Sequence, residues 1–221
     1  MDTFKVGIID DDSSKVTQIM YRITNGFENA NYEKRAKYSN IKVEAFEIEI
    51  EQNIQVTVNN IIEADIDGLI VDYKLSSYKN VDYSGVDVAT ELEKIKYDFP
   101  IFVLTSYEDD LFVNEIFNSY QVFDFDRYLN EDSERIELNF KVIEQILKTK
   151  KQQKKWEDEI LNLLPSAGTS LEVDSKLIDL DDKLEKSLNG KSMVPRKLKE
   201  ELQSDKITEL LNKLDGIIEK E

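Results

Sequence analysis

Three short apolar runs, Val6-Gly7-Ile8-Ile9, Gly68-Leu69-Ile70-Val71 and Ile101-Phe102-Val103-Leu104, each stop abruptly at polar residues: Asp10-Asp11-Asp12, Asp72, and Thr105-Ser106. Runs of this length, rich in β-branched residues, read as strands buried on both faces, as in a parallel sheet. In open α/β sheets, ligands and chemistry collect beyond the carboxyl ends of such strands. Asp72, at the end of the most central run, is therefore where a site is expected. Carboxylates gathered there repel by about 4 kcal/mol per pair of unit charges 4 Å apart at an effective dielectric near 20, so they imply a bound cation or a raised pKa. An all-oxygen, carboxylate-rich cluster suits Mg²⁺.

The segments VGIIDDD, GLIVDYKL, SGVDVATELEK, FPIFVLTSYED and RYLNED, in that order and roughly at that spacing, resemble the receiver domain of bacterial two-component response regulators, from Phe4 to about Leu147. The resemblance implies a flavodoxin-like, doubly wound α/β fold with a five-stranded parallel sheet. It also implies that Asp10 and Asp11 bind Mg²⁺ and that Asp72 accepts a phosphoryl group. The backbone carbonyl of Lys74 would complete the metal site, and Thr105 would hydrogen-bond the phosphoryl oxygen. Tyr128 would be the aromatic that swings inward in response.

One position departs from that pattern. The last strand of the family carries an aromatic-apolar-any-lysine run, and the corresponding run here is Tyr128-Leu129-Asn130-Glu131. Glu131 in the lysine position replaces an attraction for the phosphoryl group with a repulsion, on the order of several kcal/mol in a partly buried site. Either the chemistry is weakened or another cation substitutes, and Lys74 and Arg127 are the nearest basic residues in sequence.

Composition narrows the classes. A chain of 221 residues, 40% hydrophobic, is long enough for one full domain with an appendage or for two small domains. No apolar run is long enough to span a bilayer and no basic, apolar start resembles a signal peptide, so a cytoplasmic location is expected. With no cysteine and no histidine, the chain has no disulfide, thiolate zinc site or histidine base, and it cannot hold a phosphohistidine itself. A net charge of -17 argues against binding nucleic acid or an anionic membrane.

Taken in order, Ser13-Ser14 can cap a helix with Val16, Ile19, Met20 and Ile23 at helical spacing, ending near Asn25-Gly26. The polar segment from Phe27 to Asn40 either extends that helix or forms a surface loop. Ile41, Val43, Ala45 and Ile48 suggest a second strand at an edge, and Ile54, Val58, Ile61 and Ile62 a helix. Leu75 to Ser84, rich in Tyr, Ser and Lys, is a loop over the site. Gly85 opens a helix with Val86, Val88, Ala89, Leu92 and Ile95. Another helix starts at Tyr107-Glu108-Asp109-Asp110 with Leu111, Val113, Ile116 and Phe117. The last receiver-like helix begins near Ser133, with Ile136, Phe140, Ile143 and Leu147 as its stripe.

Beyond Leu147 a lysine-rich helix (148–164) leaves the domain, solvated first and apolar again at Trp156. Residues 165–170 form a linker, and 171–221 a helical extension. In the extension, Val173, Leu177, Leu180, Leu184 and Leu188 make one stripe ending at Asn189-Gly190. Pro195 starts a short helix with Leu198 and Leu202, and Ser204-Asp205 caps a final one running from Ile207 to Ile218. About 50 residues of amphipathic helix make little core alone, so they pack on the helix around Trp156, on a second copy of the chain, or on a partner. The extension is too short and too acidic for a DNA-reading output domain.

The chain is thus expected to be a non-enzymatic, response-regulator-like signalling protein. It would take a phosphoryl group on Asp72 from a histidine kinase or another phosphodonor protein and act on an unknown protein effector, with a homodimer through the extension as one possibility. The alternative is an unphosphorylated pseudoreceiver used as an adaptor. A magnesium-dependent phosphatase fits less well, because such enzymes usually carry a second acid two residues after the nucleophile, and position 74 is Lys.

Overall fold

The computed structural model describes residues 1–25, 27, 29–106 and 121–202. The helix expected from Tyr107 to Phe117, the final helix from Ile207 to Ile218 and the stop signal at Gly26 lie outside the described residues. The chain divides into two units, Met1–Lys94 with Asp98–Thr149, and Ile95–Tyr97 with the chain from Lys150 onward.

The first unit is built on a single sheet. Its strands are β1 (Asp2–Ile9), β2 (Ile41–Glu47), β3 (Gly68–Val71), β4 (Ile101–Thr105) and β5 (Val122–Asp124), all parallel, in the order β2-β1-β3-β4-β5. This is the flavodoxin-like order, in which the connections reverse direction between β1 and β3 and leave a crevice at their carboxyl ends. The register sets what lies there. Ile9 pairs with Val71, so Asp10 and Asp72 emerge side by side, and Val71 pairs with Val103, two residues before Thr105.

Alternation along the strands divides the core into two layers. Phe4, Val6, Ile8, Ile70, Phe102 and Leu104 face α1 (Ser13–Asn25) and the first half of a long helix, where they meet Val16, Ile19, Ile23, Leu138, Val142 and Ile146. Ile9, Leu69, Val71, Ile101 and Val103 point to the other face, where α4 (Gly85–Ile95) begins with Gly85 against Val71. Each of these fully buried side chains contributes about 1.5–3 kcal/mol relative to exposure. Between β2 and β3, α3 (Ile54–Glu63) buries Thr57, Val58 and Ile61. The Phe27 to Asn40 segment contains a short helix, α2 (Tyr32–Lys37), capped by the Asn31 side chain.

Two expectations are corrected. The run Tyr128-Leu129-Asn130-Glu131 is not the last strand. β5 ends at Asp124, and the run lies in α5 (Phe125–Asn130), with Glu131 at its C-terminal cap. The cause is local: Asp124 Oδ1 accepts the Arg127 N–H at 2.7 Å, a helix-initiating cap that ends the strand after three residues. The long helix α6 (Asp132–Leu163) also buries a different face from the one expected. Arg135, Leu138, Asn139, Val142, Ile146 and Thr149 are buried along with Ile143, whereas Ile136, Phe140 and Leu147 flank the contact. Three polar residues on that face, Arg135, Asn139 and Thr149, hide its periodicity.

The loop between β3 and α4 is held at both ends and in the middle. The Gly85 N–H donates to the Tyr73 carbonyl at 2.8 Å, closing its neck in the manner of an Ω-loop. Leu75 is buried, and Tyr83 places its hydroxyl 2.8 Å from that of Thr57 while donating to the Glu51 carbonyl. Tyr83→Phe leaves those buried groups short of a partner and is expected to lower stability by about 1–2 kcal/mol in urea unfolding.

In the second unit, α7 (Leu171–Asn189) is capped by the Ser170 hydroxyl and buries Asp174, Leu177, Ile178, Leu180 and Ser187, so only part of the expected leucine stripe is covered. Leu188 is more than half exposed. The Asp174 carboxylate accepts the Gly168 N–H at 2.8 Å, and Gln153 Nε2 donates to the Ser187 hydroxyl at 2.8 Å. Residues 196–202 are helical, as expected after Pro195. Among the described residues, no helix is long and apolar enough to cross a membrane.

Candidate functional site

Asp10, Asp11 and Asp72, all buried, bring one carboxylate oxygen each within 4.8 Å of one another at the carboxyl ends of β1 and β3. Asp10 is held by its Oδ1, which accepts the Asp12 N–H at 2.8 Å. Asp12 in turn accepts the Ser14 N–H at 2.8 Å and so caps α1, a task the sequence assigned to Ser13-Ser14. Asp11 Oδ2 accepts the Tyr78 N–H from the loop over the site. Asp72 is 3% exposed, and the fully buried Thr105 hydroxyl hydrogen-bonds its carboxylate.

Among the described residues, two buried oxygens, Asp10 Oδ2 and Asp72 Oδ1, have no hydrogen-bond partner. A buried carboxylate oxygen left without a donor is costly, on the order of 1–3 kcal/mol or more. The charge state adjusts accordingly. Burial above all, with the charges of Asp72 and Asp11 adding to it, pushes the Asp10 carboxyl up to about 7 against the Asp12 amide and Lys15. Burial also raises Asp72, opposed by Lys15 and Thr105. Three converging carboxylates with unmatched buried oxygens are the donor chemistry that a hard divalent cation such as Mg²⁺ takes.

The other expected residues are less centrally placed. Lys74 lies two residues beyond Asp72, at the start of the loop, with its side chain exposed. Tyr128 is 1% exposed, and burial raises its phenol well above the ordinary range. Its hydroxyl donates to Asn139 Oδ1 at 3.2 Å, and Asn139 Nδ2 donates to the Arg22 carbonyl at 3.1 Å, which ties α5 to α6 and the end of α1. Glu131, half exposed, pairs with Arg127 at 3.6 Å, and Arg127 also pairs with Glu134. Arg127 is thus engaged by surface carboxylates.

The cation beside Asp72 is one the sequence reading missed. Lys15 Nζ, from the first turn of α1, lies 3.5 Å from Asp72 Oδ2 and 4.0 Å from Asp10 Oδ2. A signal was present, because a lysine in a first turn opposes the helix dipole and needs a reason to be there. A second acidic group, Asp181, Asp182 and Glu185 on α7, is matched internally: Lys199 Nζ lies 2.6, 2.7 and 2.7 Å from the three carboxylates.

No protein-family model matches the chain, and no curated protein matches it. Among solved structures, the anti-anti-sigma factor PhyR from Bartonella quintana aligns at 16% identity with a TM-score of 0.40, over 70% of this chain and 51% of that one. The chain thus spans about half the length of that protein, and a likeness at this level carries no functional weight.

Proposed function

We propose that the first unit is a receiver-like phosphoacceptor that binds Mg²⁺ through Asp10, Asp11 and Asp72, accepts a phosphoryl group on Asp72, and signals through protein contacts. The observation that carries this reading is the buried Asp72 Oδ1, which has no hydrogen-bond partner among the described residues and lies beside two further carboxylates at the switch point of the sheet. A carboxylate so placed is desolvated and oriented, which favours its use as a nucleophile. With acetyl phosphate as donor, an Asp72 oxygen forms a bond to phosphorus as the P–O bond to acetate breaks. Acetate leaves with the electron pair and no proton need move. Bound Mg²⁺ would offset the negative charge shared by the carboxylates and the phosphoryl oxygens. Thr105 holds the acceptor, and after transfer its hydroxyl is in position to donate to the new group.

The transfer is stoichiometric, so the protein would be a signalling component and not a turnover enzyme. The natural donor would be a phosphohistidine on another protein, since this chain has no histidine. Intact mass after incubation with Mg²⁺ and acetyl phosphate, beside Asp72→Ala, tests the reading. The expected result is one labile phosphoryl addition, absent from the variant. No addition in a protein that still binds Mg²⁺ would favour an unphosphorylated adaptor instead.

A further inference from the structure

We propose that Lys15 is the phosphoryl-binding cation of this site, an ammonium delivered from the first turn of α1. The inference deepens the reading of Asp72 as the acceptor and rests on it. A phosphoryl group brings about two negative charges to a place that already holds Asp10 and Asp11, and transfer there needs a fixed positive group within reach of its oxygens. Lys15 has the position: its Nζ contacts Asp72 Oδ2 at 3.5 Å and approaches Asp10 Oδ2 at 4.0 Å, with the side chain 22% exposed.

The fold fixes that ammonium from two directions. Asp12 caps α1 and so places Lys15 in its first turn, and the buried ring of Phe125, the residue following β5, has its centroid 4.9 Å from Nζ. The cation therefore spans from the β1 acids to the end of the last strand. Burial works against its charge, but Asp72 and then Asp10 more than offset this, so Lys15 holds its proton more tightly than an ordinary lysine. Its contact is with Asp72 Oδ2, while Oδ1 has no hydrogen-bond partner among the described residues. One carboxylate thus has one oxygen tethered to the cation and the other left to form the bond in the proposed transfer. As the Oδ1–P bond forms and the donor's P–O bond breaks, Lys15 keeps its proton and gains a phosphoryl oxygen as a further partner.

The test uses the full chain as wild type, Lys15→Met and Lys15→Arg. Phosphoryl addition from acetyl phosphate with Mg²⁺ is followed by intact mass. Mg²⁺ binding is followed by titration, and thermal stabilisation is measured with Mg²⁺ plus beryllium fluoride, a phosphoryl mimic. Lys15→Met is expected to slow addition by about tenfold or more and to lose the increment from beryllium fluoride. Its Mg²⁺ affinity should be equal or higher, because a neighbouring positive charge has gone. Lys15→Arg restores most of both phosphoryl readouts. If Lys15→Met fails to fold, Lys15→Gln, which keeps a donor without the charge, is read in its place with the same expectation. A neutral variant phosphorylated as fast as wild type, or faster, overturns the role of Lys15 and leaves Asp72 as acceptor. A wild type that takes neither phosphoryl group nor mimic overturns both.

Discussion

In the absence of divalent ions, the protein is expected to lose stability as pH rises from about 4 to about 7, and Asp10→Asn should remove a large part of that loss. The Asp10 carboxyl is raised from 3.8 to about 7 in the folded chain. Between those values the folded state holds a proton that the unfolded state has released, so stability is greatest below the lower value and declines as pH climbs to the upper one. At about 1.4 kcal/mol per pH unit, the whole window represents on the order of 4 kcal/mol. Thermal unfolding against pH, for wild type and Asp10→Asn with chelator present, measures it. A wild-type slope that the variant leaves unchanged would place the titrating group elsewhere. Mg²⁺ bound there as proposed would compete with that proton, so the stabilisation it gives should grow as pH rises.

Gly85→Ala is expected to be the most damaging single methyl in the first unit, lowering stability by about 3 kcal/mol or more and abolishing phosphoryl acceptance. A Cβ at Gly85 would lie 2.0 Å from the Asp72 carbonyl oxygen, 2.9 Å from its carbonyl carbon and 2.7 Å from Val71 Cγ2. The first two are backbone atoms that no rotamer change can remove. The strand end carrying Asp72 must shift, or the loop neck must open. Gly168→Ala is the contrasting case. It has a φ of +80 but nothing within 4 Å, so only backbone strain of about 1–2 kcal/mol applies. Urea unfolding of both variants, with phosphoryl addition to the first, separates steric from conformational cost.

The strands bearing the site were legible because each is apolar on both faces and stops at a polar residue that a parallel sheet gathers at one end. Register then made Asp10 and Asp72 neighbours without further information. β5 was not legible. It has three residues, and the aromatic-apolar pattern at Tyr128 and Leu129 mimics a strand. The helix signal that prevails there is the cap from Asp124, one carboxylate among many in an acidic chain. Lys15 was passed over for a different reason. Lys74 and Arg127 are the basic residues nearest to Asp72 and Tyr128 in sequence, whereas the sheet brings the first turn of α1 to the same place from 57 residues away.

The hydrogen bond from the Tyr78 amide to Asp11 means that a surface loop and the acidic centre share one carboxylate. A charge drawn to Asp11 weakens it as an acceptor for that amide, and an ordered loop equally withholds electron density from whatever binds below. The two events are reciprocally linked, with a single coupling free energy read from either side. The exposed Tyr78 ring, 74% accessible at the loop's outer surface, is thus one peptide unit from an ionic equilibrium it never touches. Under the proposed reading, occupancy inside the crevice would be felt as a change in loop order outside it.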